Sequence, residues 1–310
     1  MLSETLQTML PIRDNKHNPV IKVCPLLTLY FHNGHLPDTR KAVSECAEEF
    51  LSLFKDQIQW GIVGVGKPQA FNTFPERASQ RYLDSVDVAN EDGWQIYWQS
   101  DEPEHASDCG FQAFGSSRQQ SEELGHLSYL SAHFPLHSAL SDPEALLALA
   151  LRWCKRLKPF HGYGGMGIIH ASDRFVAASY EKEEYALAQR FPALEVDYPL
   201  KHALWSREGI KGGNWLTILS DSWLNKLQST DAQINLPAPF ETHPYGDGII
   251  IRAGQSPIVE DRNQGADTPL YNQLAKTLKP IRLTTHPAIH TSRGKFTRQA
   301  FEEWIERFDD

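Results

Sequence analysis

The sequence predicts an α+β fold, with mixed or antiparallel sheets flanked by helices. Three observations carry this. Runs rich in β-branched residues, such as residues 20–31 and Ile249-Ile250-Ile251, read as strands. Segments with apolar residues every three to four positions read as helices with one buried face. Strands and helices interleave without a regular βαβ alternation, which disfavours a doubly wound parallel sheet. A chain of 310 residues is long enough for two similar packed lobes, 1–140 and 141–310, or for one compact domain. The seam between lobes is expected near Ser141-Asp142-Pro143 or in the glycine run 162–167.

Residues 1–18 are polar and turn-rich, an arm or a short helix. Residues 20–31, VIKVCPLLTLYF, read as a central or near-central strand in which Pro25 requires an edge position or a bulge, because proline gives the ladder no N–H. After the Asn33-Gly34 turn a helix opens at Pro37 or Asp38 and runs to about Ile58, with Ala42, Val43, Cys46, Ala47, Phe50, Leu53 and Phe54 on its inner face. Residues 60–69 read as a loop, and a short helix is expected around 77–84. Trp94 to Trp98 alternates, an acidic loop follows and residues 111–114 return, which is a hairpin. Residues 127–136 form a further strand. Asp142 or Ser141 caps a helix that starts at Pro143 and stops at Pro159.

The second half uses the same vocabulary, with strands at 165–170 and 215–219 and helices at 180–191 and 221–227. Gly246-Asp247-Gly248 then turns the chain into the Ile249 to Ile251 strand, which stops at Gly254. Pro257, Asp261, Asn263 and Gly265 build a polar loop, and Asp267 or Thr268 caps a helix with Leu270, Leu274 and Leu278 on one face. Pro280 ends that helix, and 281–283 begin another strand. Phe296, Phe301, Trp304, Ile305 and Phe308 mark a terminal amphipathic helix.

Composition narrows the function. The chain is 41% hydrophobic and 22% charged, with no apolar run near the ~20 residues a membrane span needs. Residues 1–10 show no basic n-region followed by an apolar h-region, so a cytoplasmic protein is expected. A net charge of −9 repels phosphate backbones and argues against direct nucleic-acid binding. The four cysteines form no CxxC pair and read as buried free thiols. Between residues 82 and 117 there are eight acids and neither Lys nor Arg: Asp84, Asp87, Glu91, Asp92, Asp101, Glu102, Glu104 and Asp108. Such a run is either a solvated acidic hairpin or a surface that docks on a basic partner.

Several motifs come close to known chemistry and fail. Gly61 to Lys67 lacks the Ser or Thr that would complete a phosphate-binding loop, and Pro68 stands in its place. Gly162-Tyr163-Gly164-Gly165-Met166-Gly167 spells a dinucleotide fingerprint but follows a helix and opens a strand, the reverse of what that site needs. It reads instead as a helix stop and a place where backbones pack closely. His133/His137 and His286/His290 have helical metal-ligand spacing, yet Pro135 and Pro287 interrupt both segments. No G-x-S-x-G and no cysteine in a nucleophile context is present. No metal and no cofactor is therefore expected.

The C-terminal stretch resembles the bacterial type VI secretion immunity family called TsiV. The resemblance rests on Gly254-Gln255-Ser256-Pro257, Asp261-Arg262-Asn263, Pro269-Leu270-Tyr271 and Leu278-Lys279-Pro280-Ile281-Arg282. It extends upstream through Trp94 to Tyr97, the Pro143 helix with Trp153, Gly162 to Gly165 and Asn214-Trp215-Leu216. Glu260 stands where the family often has glycine, so the turn there cannot rely on a positive φ.

The resemblance implies a non-enzymatic immunity protein that binds a cognate secreted toxin, commonly a nuclease, with no catalytic residues to carry over. An acidic inhibitor can fence the basic cleft of a nuclease by charge complementarity. The toxin-binding residues expected on that basis are Glu91, Asp92, Trp94, Tyr97, Trp98, Asp101, Glu102, Glu104 and Asp108, with the aromatics alternatively serving the hairpin's own core. The competing expectation is a metal-dependent hydrolase using His243, Asp247, Glu260, Asp261 and Asp267. A third is an adaptor that binds toxin without blocking it.

Overall fold

In a computed structural model, residues 4–62, 68–71, 92–229, 236–265, 267–290 and 294–309 are described. The helix expected at 77–84, most of the phosphate-loop-like motif, and Asp84, Asp87 and Glu91 lie outside them. The strands are β1 Ile12–Arg13, β2 Pro19–Phe31, β3 Trp60–Ile62, β4 Gln69–Ala70, β5 Trp94–Gln99, β6 Gly110–Gly115, β7 Ser128–His133, β8 His161–His170, β9 Glu195–Val196, β10 Leu216–Ser220, β11 Phe240–Pro244 and β12 Gly248–Ala253. The helices are α1 Glu4–Met9, α2 Pro37–Phe54, α3 Arg118–Glu122, α4 Pro143–Leu157, α5 Arg174–Ser179, α6 Glu181–Arg190, α7 Pro199–Trp205, α8 Asp221–Ser229, α9 Pro269–Leu278 and α10 Arg298–Ile305.

All these strands join one sheet in the order β11-β12-β10-β8-β2-β7-β6-β5-β3-β4, with β1 added to β2 and β9 to β8. Every pairing is antiparallel except β8 with β9. The α+β expectation therefore holds. Strands from before residue 140 build one side of the sheet and strands from after residue 160 the other. The two sides meet at β2, which pairs with β7 over six residue pairs and with β8 over ten.

Pro25 shows how a proline fits in so central a strand. The last β2–β7 pair is Leu26 with His133, and Pro25 lies one residue beyond it. Its carbonyl accepts from the Phe134 N–H at 2.9 Å. In a strand a residue's N and O point to the same side, so the missing N–H forfeits only the reciprocal bond to Phe134, just past the end of β7, and no bond within the ladder.

The glycine run expected to stop a helix lies instead inside β8, and the helix before it ends at Lys158, which takes a left-handed φ of 49°. The glycines have a packing reason. A Cβ on Gly162 would sit 2.5 Å from the Thr28 carbonyl oxygen, and one on Gly167 would overlap Leu26. The segment 281–283 forms no strand of its own; residues 279–281 make a short 3-10 turn, and Arg282 bridges to Ile210.

One face of the sheet is closed by α2 and α4. Leu27, Leu29, Phe31, Ile96, Phe111 and Leu130 from the strands pack there against Val43, Phe50, Leu146 and Trp153. Trp98 stacks on Phe111 with centroids 5.5 Å apart, and Phe50 lies 5.3 Å from the same ring. Asp142 caps α4 as expected, accepting from the Glu144 N–H at 3.2 Å. Glu49 ties the two helices by accepting from Arg152 at 2.7 Å and from Arg156.

The second end of the sheet is closed by α6 and α10, where Leu187, Phe191, Phe301 and Trp304 pack on Val23 and Ile168. A buried ion cluster sits beneath this layer. Glu195 holds Lys211 Nζ at 2.5 Å, lies 3.5 Å from Arg307, and accepts from Asn214 at 2.7 Å. Burial pulls the Lys211 ammonium below its usual range, and it brings the Arg307 guanidinium down to about 10.

Two outcomes follow. Gly162→Ala should destabilise the fold by about 2 kcal/mol or more, because the new methyl meets backbone rather than a movable side chain, while Gly164→Ala, whose nearest contact is 3.3 Å, should cost clearly less. Glu195→Gln should cost about 3–5 kcal/mol by stranding buried cations, and adding Lys211→Met should recover part of it. Denaturant unfolding of the four variants reads both; equal costs for the two glycines, or no recovery in the double variant, would contradict the packing described.

Candidate functional site

The hairpin that the sequence marked as acidic forms with the register Trp94 opposite Gly115, Tyr97 opposite Gln112 and Gln99 opposite Gly110. Strand alternation sends Trp94, Ile96 and Trp98 to the helix-covered face. Trp94 is buried, donates from Nε1 to the Gly34 carbonyl at 2.8 Å, and occupies space that a side chain at Gly115 would fill. Trp98 is equally buried in the aromatic stack. Tyr97 faces the other way, half-buried, with its hydroxyl donated to Gln99. Asp92 is exposed at the start of the hairpin, and its carbonyl accepts from Arg40 at 3.3 Å.

The β5–β6 connection is a structured acidic loop. Asp101 accepts from Ser100 Oγ at 2.7 Å and from the Asp108 N–H at 3.3 Å, and its own N–H donates to Ser107 at 3.3 Å. Asp108 pairs with Lys22 at 2.7 Å. The loop is tied to its surroundings by Ala106 N–H to the Pro19 carbonyl at 2.8 Å and by Asp173 N–H to the Pro103 carbonyl at 2.7 Å. These bonds hold the backbone while Glu102 and Glu104 stay exposed, so the charges are presented from a fixed support.

Beside this loop, on the face away from α2 and α4, the sheet carries a cleft of about 310 Å³. Tyr97, Gln112, Tyr129 and His133 from the strands line it, as do His170, Asp197 and Tyr198, and the start of α7 forms a wall. A second hollow of about 480 Å³ shares Tyr97, Gln112, Tyr129 and Ser172 with the first and reaches Glu104, Asp173 and Arg174, so the two are one concavity.

Asp197 is its buried carboxylate. It accepts from Thr28 Oγ1 at 2.7 Å, Ser131 Oγ at 3.0 Å and the Tyr163 hydroxyl at 2.6 Å, all neutral donors. Tyr198 stacks on His170 with centroids 4.5 Å apart and hydrogen-bonds His290 at 2.7 Å and Glu184 at 2.7 Å. Burial and the nearby Asp108 have opposing effects on His133, and burial wins, bringing it down to about 4.

The residues of the hydrolase expectation do not converge. Asp261 is buried against Arg190, accepting at 2.9 and 2.7 Å, and also caps a short turn by accepting from the Asn263 N–H at 3.0 Å. Asp247 pairs with Lys158 at 3.4 Å and His243 approaches Glu241 at 3.2 Å, while Glu260 and Asp267 are exposed. Among the described residues no group of three or more His, Cys, Asp or Glu is placed to hold a metal ion. His286 meets His202 at 2.9 Å whereas His290 meets Tyr198, so that spaced pair serves two partners. Burial pushes the Cys24, Cys46 and Cys109 thiols up to about 12, which keeps them protonated.

The residues that carried the family resemblance hold the scaffold. Trp215 Nε1 donates to the Gly254 carbonyl at 3.1 Å, the Tyr271 hydroxyl accepts from the Ile258 N–H at 3.3 Å, and Arg282 clamps Asp309. Where Glu260 replaces glycine, the left-handed position falls later, at Gly265 with φ 76°. Sequence reasoning missed Asp197, Tyr198 and α7. The available signal was Pro199 at the first position of a helix, since proline there forfeits no intrahelical bond.

Comparison with known proteins agrees with this layout. No curated protein sequence matches the chain. A Pseudomonas aeruginosa type VI secretion system protein has a similar solved structure, with a TM-score of 0.83 at 24% identity over 94% of this chain and 83% of the other, which is a likeness of fold. No helix among the described residues is long and apolar enough to cross a membrane. The profile described as type VI immunity for VRR-NUC matches residues 42–308, which take in β3 to β12 and the helices from within α2 onward, and the chain therefore belongs to the TsiV family of type VI immunity proteins.

Proposed function

We propose that this protein binds a cognate VRR-NUC toxin, a nuclease, in the cytoplasm of the producing cell and neutralises it by covering its basic nucleic-acid-binding cleft, without catalysing a reaction. The observation that carries the reading is the acidic β5–β6 loop, held rigidly at the rim of a concavity on the open face of the sheet. A nuclease must present positive charge to phosphates, and a fixed set of carboxylates is its complement. Asp101, Glu102, Glu104 and Asp108 are the contacting acids in this reading, with Asp92 at the hairpin's start and Tyr97 behind them. Trp94 and Trp98 then act from within, fixing the hairpin that presents the charges.

Replacing Glu102 and Glu104 together by lysine should slow association with the toxin by about tenfold or more at low salt and flatten its salt dependence, while thermal stability changes little, because both are exposed and neither makes the bonds that hold the loop. Stopped-flow or surface-plasmon kinetics at several ionic strengths reads this; unchanged kinetics removes the loop from the interface. Co-expression should also restore growth to cells producing the toxin, and continued killing despite full expression of this chain would overturn the immunity reading itself.

A further inference from the structure

Exposed large apolar side chains are few among the described residues, and their placement is uneven. Of seven, four lie on α5 and α7, the two helices bordering the concavity: Phe175 on the first, Leu200, Leu204 and Trp205 on the second. Phe175 is 70% exposed. Leu200 and Leu204 are one turn apart, so α7 turns an apolar edge outward while His202 and Ala203 pack inward. Apolar anchors around a concave, polar-rimmed surface are the usual anatomy of a binding hot spot.

Acids outnumber cations among the residues that line the concavity: Asp197, Glu104 and Asp173 against Lys201 and Arg174. Lys201 donates to the carbonyls of Ala288 and Ile289, and beyond the lining Lys22 pairs with Asp108 and Lys211 with Glu195. Arg174 lies over the Phe175 ring at 4.9 Å. Asp197 is contacted by three hydroxyls, and Glu104 and Asp173 lie at the second hollow. Tyr97, Tyr129 and Tyr198 line it, the last with one face already stacked on His170. Aromatic rings around a carboxylate suit a planar cation, which stacks on a π-face while the negative potential draws it in.

We propose that the concavity receives an arginine side chain projecting from the toxin's nucleic-acid-binding surface, with Phe175, Leu200 and Leu204 as the apolar anchors around it. The inference rests on the neutralisation reading above and adds to it: the acidic loop governs encounter, and the seated arginine governs residence. A side chain that normally meets phosphate would thereby be withdrawn into the inhibitor.

The test uses the full chain and the purified VRR-NUC toxin that it neutralises. Gln112 faces both hollows, so Gln112→Lys places a cation where the guest belongs, and Gln112→Met removes the same amide without adding charge. Dissociation from Gln112→Lys should be at least about tenfold faster than from Gln112→Met, with association rates alike, in contrast to the loop variant. Phe175→Ser with Leu200→Ser should also speed dissociation by about tenfold, and melting curves should stay near that of the unaltered chain because both side chains face solvent. Equal dissociation from the two Gln112 variants rules out a cationic guest. Unchanged dissociation in the Phe175/Leu200 variant rules out the anchors. Either result with toxin binding intact overturns this inference alone, whereas no binding by the unaltered chain overturns both.

Discussion

The pairing of β2 with β8 is the constraint on which the rest of the molecule depends. Ten residue pairs join a strand from the chain's first half to one from its second, and they hold because β8 supplies glycines where Thr28 and Leu26 come closest. A one-residue slip would turn the side chains of one half of the sheet to the opposite face relative to the other half. In the observed register Leu27 and Leu29 face α2 and α4, and Leu26, Thr28 and Tyr30 face the opposite way. The two faces are thereby given different work, one apolar and closed, the other polar and partly open.

The open face is polar for a structural reason. Thr28 from β2, Ser131 from β7 and Tyr163 from β8 converge on Asp197, which enters from the segment after β9. A buried carboxylate needs such donors, and a network of this kind fixes the geometry of the elements that provide them. Glu195, which holds Lys211 and lies near Arg307, is just upstream in sequence, so the short stretch 195–198 is held by charge on one side and hydroxyls on the other. That stretch delivers α7, whose position leaves β5 and β6 uncovered on this face. Scaffold stability and the shape of the concavity thus share residues, so substitutions at Asp197 would confuse folding with binding.

Much of the scaffold was legible in the sequence. The β5–β6 hairpin, α2, α4 with its Asp142 cap, the Ile249 to Ile251 strand and α9 all follow from local periodicity and turn chemistry, and those signals are strong because each element buries one face. The glycine run 162–167 was less legible. Glycine after a helix signals a stop, and only the approach of β2 reveals that these residues continue a strand. Helix α7 was missed because its exposed residues are apolar and its buried ones include a histidine, which inverts the usual pattern. The acidic loop was visible as composition, but the two inward-facing tryptophans show that composition does not say which side of a strand a residue takes. The concavity itself joins β5, β6, β7 and α7, distant in sequence, and such a surface has no local signature.

The central claim is that the toxin sits on the open face, over the acidic loop and the concavity, and leaves the α2 and α4 face untouched. Hydrogen-exchange mass spectrometry of the chain with and without its VRR-NUC toxin tests this most directly. The account predicts slowed exchange confined to residues 100–109, α5 and α7, with α2 and α4 exchanging as in the free protein. Protection centred on α2 and α4, with the acidic loop and α7 unaffected, would contradict it.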